Sequence, residues 1–389
     1  MRILKEMNHQ NISAGIISGL LAITGPPVLI LQAASNGNFT DAQTILWMFS
    51  VYAFGGVFSI LVPLYYRMPI VGAHSITGVA FLVTVTGQFT YQELIGSYVL
   101  AGLIMFLIGY LRAFSNLLKY VPKQIISAML AGMILKYMVS FVVSISNLPV
   151  IGILSLVAFF VFSKLNSRVP PVIAAIFTAL FLLFLLEPLK ISELSITSFV
   201  FPQIQLPEFG ILGFISVSIP LALLVLSNDA AVGLGALEQN DYHPPINRII
   251  TLSGIFTIIT GFFGGQSANV AGMMSAICSD QDAGIKEKRY IAAIVSGTIL
   301  LIFGIFSWKL VPFIQALPQA FVSILLGFAL LGVFSNSLYL SFSNPKFKIS
   351  VAFALIIAAS NITIINISSP VWSLLIGTFV ARFIENQDS

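Results

Sequence analysis

Apolar runs of similar length, separated by short polar turns, fill the chain from end to end. Crossing a bilayer takes about 20 apolar residues. Fourteen runs approach that length: 11–34, 43–66, 70–87, 92–111, 121–143, 147–163, 169–187, 208–237, 246–262, 263–280, 288–308, 318–340, 348–364 and 368–385. A chain inside lipid must satisfy its own backbone hydrogen bonds, so each run is read as helix. The expected fold class is an all-α polytopic membrane protein with 14 transmembrane segments. Two runs depart from plain helix. The tenth lies in FFGGQSANVAGMMSAICSD, where the adjacent Gly264 and Gly265 weaken a helix by roughly 2 kcal/mol together. Ser267 is a suitable N-cap there, with Val270 to Cys278 as the helix behind it. The third run carries Met68-Pro69 and reaches His74 before a helix from Ser75. Both spans are expected to be half extended and half helical. Non-helical backbone survives at membrane depth only when buried in protein or lining a cavity. Broken helices of this kind mark the binding sites of secondary transporters.

Composition agrees with a membrane location. Hydrophobic residues make up 58% of the chain and charged ones 8%, with a mean hydropathy of +1.00. A soluble domain carries about 25% charge. The net charge of +4 does not point to nucleic acid, because the basic residues stand singly between apolar runs. One cysteine, Cys278, and three scattered histidines, His9, His74 and His243, provide neither a disulfide frame nor metal-ligand spacing, so no cofactor is expected. The first apolar run lacks a small-residue cleavage site and is read as a retained span. With the N-terminus in the cytoplasm, fifteen of the 18 basic residues, Arg67, Arg248, Lys286 and Arg289 among them, fall in inner loops. Only Lys190 and Lys309 fall outside, and Lys136 lies within a span. This positive-inside bias predicts a multi-pass protein of the cell membrane with both termini cytoplasmic.

Seven spans plus seven, an odd number per half, set two repeats in opposite orientations, 1–203 and 204–389. Tyr120-Val-Pro-Lys-Gln-Ile-Ile-Ser127 aligns with Ala316-Leu-Pro-Gln-Ala-Phe-Val-Ser323. Gly72-Ala-His74-Ser75-Ile-Thr77-Gly aligns with Gly264-Gly-Gln266-Ser267-Ala-Asn269-Val, at an offset of 192 residues against 196 for the first pair. The outer segment 188–207, with two prolines, is read as a short extended join between the halves. Span three runs outward and span ten inward. Half-helices of roughly 13 residues reach about 20 Å, against a hydrocarbon thickness of about 30 Å. Their N-termini are therefore expected to meet near the midplane, presenting unpaired N–H groups and positive dipole ends to an anion.

Polar residues within the spans supply the candidate chemistry. Asp229, beside Ser227 and Asn228, is the acid placed deepest, and an intramembrane acid is a functional candidate by default. The plainer role is a carboxylate capping a helix break or paired to a base. His74 stands at the turn of span three, where an imidazole suits proton handling or simply bonds the helix start. Gln266 and Asn269 offer uncharged donors and acceptors, toward a ligand or toward loose backbone at the break. Lys136 sits fourteen residues after Pro122, about 21 Å of helix, and is expected to snorkel to the surface. Gly25-Pro26-Pro27 kinks span one. The expected substrate-binding set is His74, Ser75, Asn228, Asp229, Gln266, Ser267 and Asn269, with Asp229 and His74 coupling protons.

The segments GLLAITGPPVLILQAA, YYRMPI, VPKQIISAMLAGMILKY, LEQNDYHPPINRIITLSG and GGQSANVAGMMSAICSDQDAGIKEKRYIAA follow one another in this order. Together they make nearly the whole chain resemble the benzoate–proton symporter (BenE) family. The most specific pieces are Asn-Asp-Tyr-His-Pro-Pro at 240–245 and the double-glycine stretch running to Lys288-Arg289-Tyr290. That family resembles nucleobase–cation symporters and sulfate-type anion transporters in fold. The resemblance implies seven-plus-seven inverted repeats, a core domain near 11–111 plus 208–308, and a gate domain near 121–187 plus 318–385. It also implies a site between spans three and ten, with span eight contributing. Three places depart from the family pattern. Gln266 stands where a histidine is expected, the acid Asp229 where an uncharged amide is expected, and His74-Ser75-Ile76-Thr77 where a Trp-Ser-Thr-Pro-like run is expected. All three fall in the expected site and bear on the ligand more than on transport.

The favoured function is proton-coupled symport of a small organic anion, such as an aromatic carboxylate, by alternating access. A nucleobase–proton symporter is the alternative, with Asp229 accepting a ring N–H and Gln266 bonding the ring edge. A passive anion channel would need a continuous polar path, which the apolar spans do not offer. An integral membrane enzyme would need paired carboxylates, metal ligands or a nucleophile elbow, and none is present in the sequence. The expected partners are the anion, the proton and the bilayer, with room for a homodimer.

Overall fold

The computed structural model describes residues 6–114, 122–165, 169–186, 199–364 and 367–385. Most of the join expected over 188–207, up to residue 198, lies outside the described residues, as do Tyr120 and Val121 at the head of one repeat match. Helices α1 (His9–Thr24), α2 (Pro26–Asn36) and α3 (Asp41–Tyr66) open the chain. α1 and α2 are a single apolar run divided at Gly25. Pro26 has no N–H to continue the ladder and suits a first helical position, so the helix stops and restarts there. Strand β1 (Gly72–Ala73) leads into the short α4 (Ile76–Val85), then α5 (Tyr91–Tyr110). α6 (Lys123–Asn147), α7 (Pro149–Lys164) and α8 (Pro171–Leu186) follow. α9 runs Ile211–Gln239 with two π-helical stretches, Phe214–Ser218 and Val225–Ala230. After α10 (Ile246–Phe262) come β2 (Asn269–Val270), α11 (Gly272–Ser279), α12 (Tyr290–Ile305) and α13 (Ser307–Gln315). α14 (Gln319–Ser341), α15 (Lys348–Ser360), the paired strands β3 (Thr363–Ile364) and β4 (Ile367–Ser368), and α16 (Ser369–Val380) close the fold.

Among the described residues, seven helices are long and apolar enough to cross a membrane on length and composition. Four further apolar helices have 10–17 residues; 17 residues extend about 26 Å, short of a full hydrocarbon thickness. The helices pack as two sets. In one, α12 runs along α3 and α1, α5 along α10, and α11 against the end of α9. In the other, α6 packs on α14 and α15, α7 on α8, and α15 on α16. The sets touch through α2 with α14, α4 with α6, and α1 with α8. Lipid supplies no hydrophobic drive between helices, so close approach of backbones does the work. The α5–α10 crossing depends on it: a Cβ on Gly102 or Gly254 would lie 2.7 or 2.3 Å from the facing backbone nitrogen.

Several loops that sequence assigns to the inside meet at the ends of α3, α9, α11 and α12. The Arg67 guanidinium lies 4.7 Å over the Tyr290 ring and 3.5 Å from the Glu6 carboxylate. Tyr242 of the 240–245 turn donates to the Lys286 carbonyl at 2.7 Å. Arg289 donates to the Ser279 and Gly284 carbonyls, both at 2.7 Å, and so places a cation at the C-terminus of α11. The most distinctive motif of the sequence is thus a clamp between the ends of α9, α11 and α12.

Candidate functional site

Two chain breaks cross at the centre of the first helix set. β1 pairs antiparallel with β2, Gly72 opposite Val270 and Ala73 opposite Asn269. A ladder this short leaves most of its backbone groups to be satisfied elsewhere, and hydroxyls on neighbouring helices do so. Val71 N–H donates to Ser275 Oγ (3.1 Å), Ala268 N–H to Thr257 Oγ1 (3.3 Å) and Val270 N–H to Ser253 Oγ (3.4 Å). Ser75 N–H donates to Ser267 Oγ at 3.0 Å, across 192 residues of chain. Gly264 holds φ near +98°, which an L side chain resists, and a Cβ there would meet the Tyr91 hydroxyl at 2.7 Å.

The first break follows expectation: Ser75 accepts from Gly78 N–H at 2.9 Å and caps α4. The second differs. Ser267 does not start a helix, because its hydroxyl is engaged by Ser75 and residues 269–270 are held extended against β1. α11 begins only at Gly272, without a side-chain cap. The half-helices accordingly have 10 and 8 residues, shorter than the expected length of about 13.

Beside this crossing lies a cavity of about 380 Å³, within the size range of small-molecule sites. The first helix set contributes Ala22 and Pro26 at the α1–α2 break, His74 and Thr77 at the start of α4, Asn228 and Asp229 on α9, and Gly272 and Met273 at the start of α11. The second set contributes Leu130 on α6 and Gly332, Val333, Asn336 and Ser337 on α14. Asn228 and Asp229 sit in the second π-helical stretch. A π turn widens the helix locally and recurs at functional sites. Both His74 ring nitrogens, Asn228 Nδ2 and Asp229 Oδ2 are buried without a hydrogen-bond partner. Four such atoms around one cavity are unusual, since buried polar groups are normally paired. The Tyr52 ring meets His74 edge-on at 4.8 Å, and its hydroxyl donates to the Ala22 carbonyl at 2.8 Å. The imidazole is thereby steered by ring packing, with both nitrogens left open.

Of the residues expected at the site, His74, Asn228 and Asp229 line the cavity together. Ser75 lies just behind it, sharing a hydrogen bond with Thr77 Oγ1 at 3.0 Å. Gln266, Ser267 and Asn269 do not line it. Gln266 Oε1 accepts from Trp47 Nε1 at 2.6 Å, Ser267 holds the crossing, and Asn269 Nδ2 donates to the Val270 carbonyl at 2.9 Å. All three bond residues around the breaks, while Gln266 Nε2 and Asn269 Oδ1 are buried without a hydrogen-bond partner. Lys136 is exposed, its Nζ 5.0 Å over the Tyr137 ring, away from the cavity. Thr77 and the α14 residues lie outside the expected set. Asn336 carries a sequence signal all the same, as an amide inside the apolar run LLGVFSNSLYL.

The family model BenE, described as "Benzoate membrane transport protein", matches residues 5–383. The chain is 26% identical over 374 residues to the benzoate membrane transport protein of Acinetobacter baylyi (strain ATCC 33305 / BD413 / ADP1), covering 95% of this chain and 94% of that one. It is 28% identical over 366 residues to the inner membrane protein YdcO of Escherichia coli (strain K12), covering 94% and 93%. Among solved structures, the transmembrane domain of the cyanobacterium bicarbonate transporter BicA aligns with a TM-score of 0.60 at 16% identity, over 96% of this chain and 97% of that chain. SLC26A9 aligns with a TM-score of 0.61 at 12% identity, over 96% and 64%. At these identities the likeness to the solved structures is one of fold.

Proposed function

This chain belongs to the BenE family and is a membrane transporter, not an enzyme, and from that premise we propose secondary active symport of a small aromatic carboxylate, benzoate or a close analogue, with a proton. The observation that carries the proposal is the cavity between the two helix sets, where Asp229, Asn228 and His74 present unpaired polar atoms. Ile76 and Thr77 at the start of α4 and Gly272 and Met273 at the start of α11 line the same space, and helix N-termini there suit a ligand carboxylate. On the opposite wall Leu130, Val333 and Gly332 suit a ring, with the polar Asn336 and Ser337 beside them. Asp229 and the ligand are both acids, and two negative charges in one small cavity repel. A proton carried in with the ligand removes that repulsion, which is the physical basis of coupling here. His74, within the same lining, is the second proton carrier in this scheme.

Alternating access follows if the second helix set rocks against the first. The narrow contact between the sets supports that motion. An inverted seven-plus-seven architecture, with fourteen spans and both termini in the cytoplasm of the cell, is part of the same proposal. Its support is the antiparallel β1–β2 pair and the Ser75–Ser267 bond at the 192-residue offset. The deciding experiment is uptake of radiolabelled benzoate into proteoliposomes under an imposed pH gradient. Accumulation that vanishes with a protonophore is expected; uptake indifferent to the gradient refutes coupling.

One observation favours a nucleobase instead. Asp229 Oδ2 and Asn228 Nδ2, an unpaired acceptor and an unpaired donor in one cavity lining, are the kinds of group that a ring N–H and a ring carbonyl require. Titrating purified protein with benzoate, uracil and xanthine separates the two ligands directly.

A further inference from the structure

Most glycines within these helices serve close packing, and Gly332 does not. A Cβ built on it would meet no atom within 4 Å, whereas one on Gly327 of the same helix would fall 2.1 Å from Phe141. Gly332 lies well inside α14, where glycine is less favourable than alanine, and its φ is not positive. Neither packing nor backbone geometry calls for glycine there. What the missing side chain does leave is room, since Gly332 lines the cavity. One helical turn further, Asn336 lines the same cavity from the same face of α14. Its amide is exposed to the cavity and has no hydrogen-bond partner among the described residues. An amide at membrane depth that stabilises nothing in its own fold is a candidate reader of a ligand.

Building on the symport proposal above, we propose that Gly332 and Asn336 set ligand selectivity from the second helix set: Gly332 leaves the slot for the aromatic ring, and Asn336 hydrogen-bonds a polar substituent on the ring's far edge. With the carboxylate at the starts of α4 and α11, the ring spans the cavity toward α14. Its meta and para positions then meet the Gly332–Asn336 face. A hydroxyl or amino group there satisfies Asn336, while a bare ring leaves the amide to water. The selected substrate class is therefore a hydroxy- or amino-substituted benzoate in preference to benzoate itself.

The test is a binding titration on purified full-length protein in nanodiscs, with benzoate, 3-hydroxybenzoate, 4-hydroxybenzoate and uracil as probes. The wild-type protein is expected to favour a hydroxybenzoate over benzoate by about three- to tenfold, the net worth of one neutral hydrogen bond. Asn336→Leu is expected to abolish that preference, so that the variant binds benzoate and the hydroxybenzoates within about twofold of one another. Gly332→Leu is expected to weaken every ring ligand at least tenfold without lowering the melting temperature of the ligand-free protein. Gly332→Ala gives a smaller loss in the same direction and keeps the slot testable should the leucine variant fail to insert. No preference in the wild type, a preference that survives Asn336→Leu, or ring binding unchanged by both Gly332 variants would overturn the proposal. Binding of uracil without benzoate refutes the carboxylate substrate instead, and the Gly332 variants then judge the slot with uracil as its ring. Binding of none of the four refutes both.

Discussion

Replacing Asp229 by asparagine should separate binding from proton coupling. The cavity of about 380 Å³ would be roughly 9 Å across as a sphere, so a ligand carboxylate anywhere in it feels a charged Asp229 with about 2 kcal/mol of repulsion or more, taking an effective dielectric of about 20. That is roughly twenty- to thirtyfold in affinity. The wild-type protein avoids the repulsion by taking up a proton with the ligand. Its affinity for benzoate should therefore rise as pH falls, because proton and anion bind together. The amide that Asp229→Asn introduces would carry no charge and need no proton. Benzoate binding to this variant should be nearly flat from about pH 6 to 8, and at the alkaline end tighter than wild type by about the same factor. In proteoliposomes the variant should still exchange labelled for unlabelled benzoate, yet fail to accumulate it against a gradient when a pH difference is imposed. Isothermal titration across pH, paired with counterflow and uphill uptake, reads both halves. The reasoning is refuted if the variant keeps the pH slope of the wild type, or if it accumulates benzoate as the wild type does. A retained slope would move the coupling proton to His74, the other titratable side chain of the cavity lining.

Three further outcomes follow from the geometry. Gly25→Val should cut benzoate uptake more than tenfold without preventing insertion, since a Cβ on Gly25 would stand 2.5 Å from Ala329 Cβ, at the contact between the helix sets; initial-rate uptake alongside a surface-expression measurement checks it. Trp47→Phe should lower stability by about 1–3 kcal/mol, because Gln266 Oε1 loses its buried donor; melting should shift while the ranking of ligands by affinity does not, as neither residue lines the cavity. Ser267→Ala should cost about 1–3 kcal/mol as well, by leaving Ser75 N–H unpaired at the crossing, and hydrogen exchange should rise first at residues 71–78 and 267–272.

Local chemistry reaches far enough along the chain to reveal the breaks and not far enough to reveal what they bond to. Gly264-Gly265, Pro69 and the capping hydroxyl of Ser75 act within a few residues, so their effects are readable in sequence. The start of α11 is not, because Ser267 meets all the local requirements of an N-cap. Its hydroxyl is instead taken by a backbone N–H 192 residues away, and only the fold brings that donor near. The same holds for Gln266 and Asn269, whose polarity is visible but whose partners, Trp47 and the backbone of β2, are not. The π-helical turn that carries Asn228 and Asp229 leaves no periodic mark, although the polar residues themselves stand out in the apolar run. α14 is the largest omission, for a physical reason. A wall that accommodates an apolar ring is itself apolar, so glycine and valine facing a ligand look like glycine and valine facing lipid. The two walls differ in what they are free to be. One carries His74, Thr77, Asn228 and Asp229 beside the chain breaks, and the other is mostly apolar, with Leu130, Gly332 and Val333 next to Asn336 and Ser337. A molecule with one charged end and one flat apolar end therefore has a single low-energy orientation in the cavity, ring toward α14. A small symmetric oxyanion would leave the apolar wall uncovered and gain little from it.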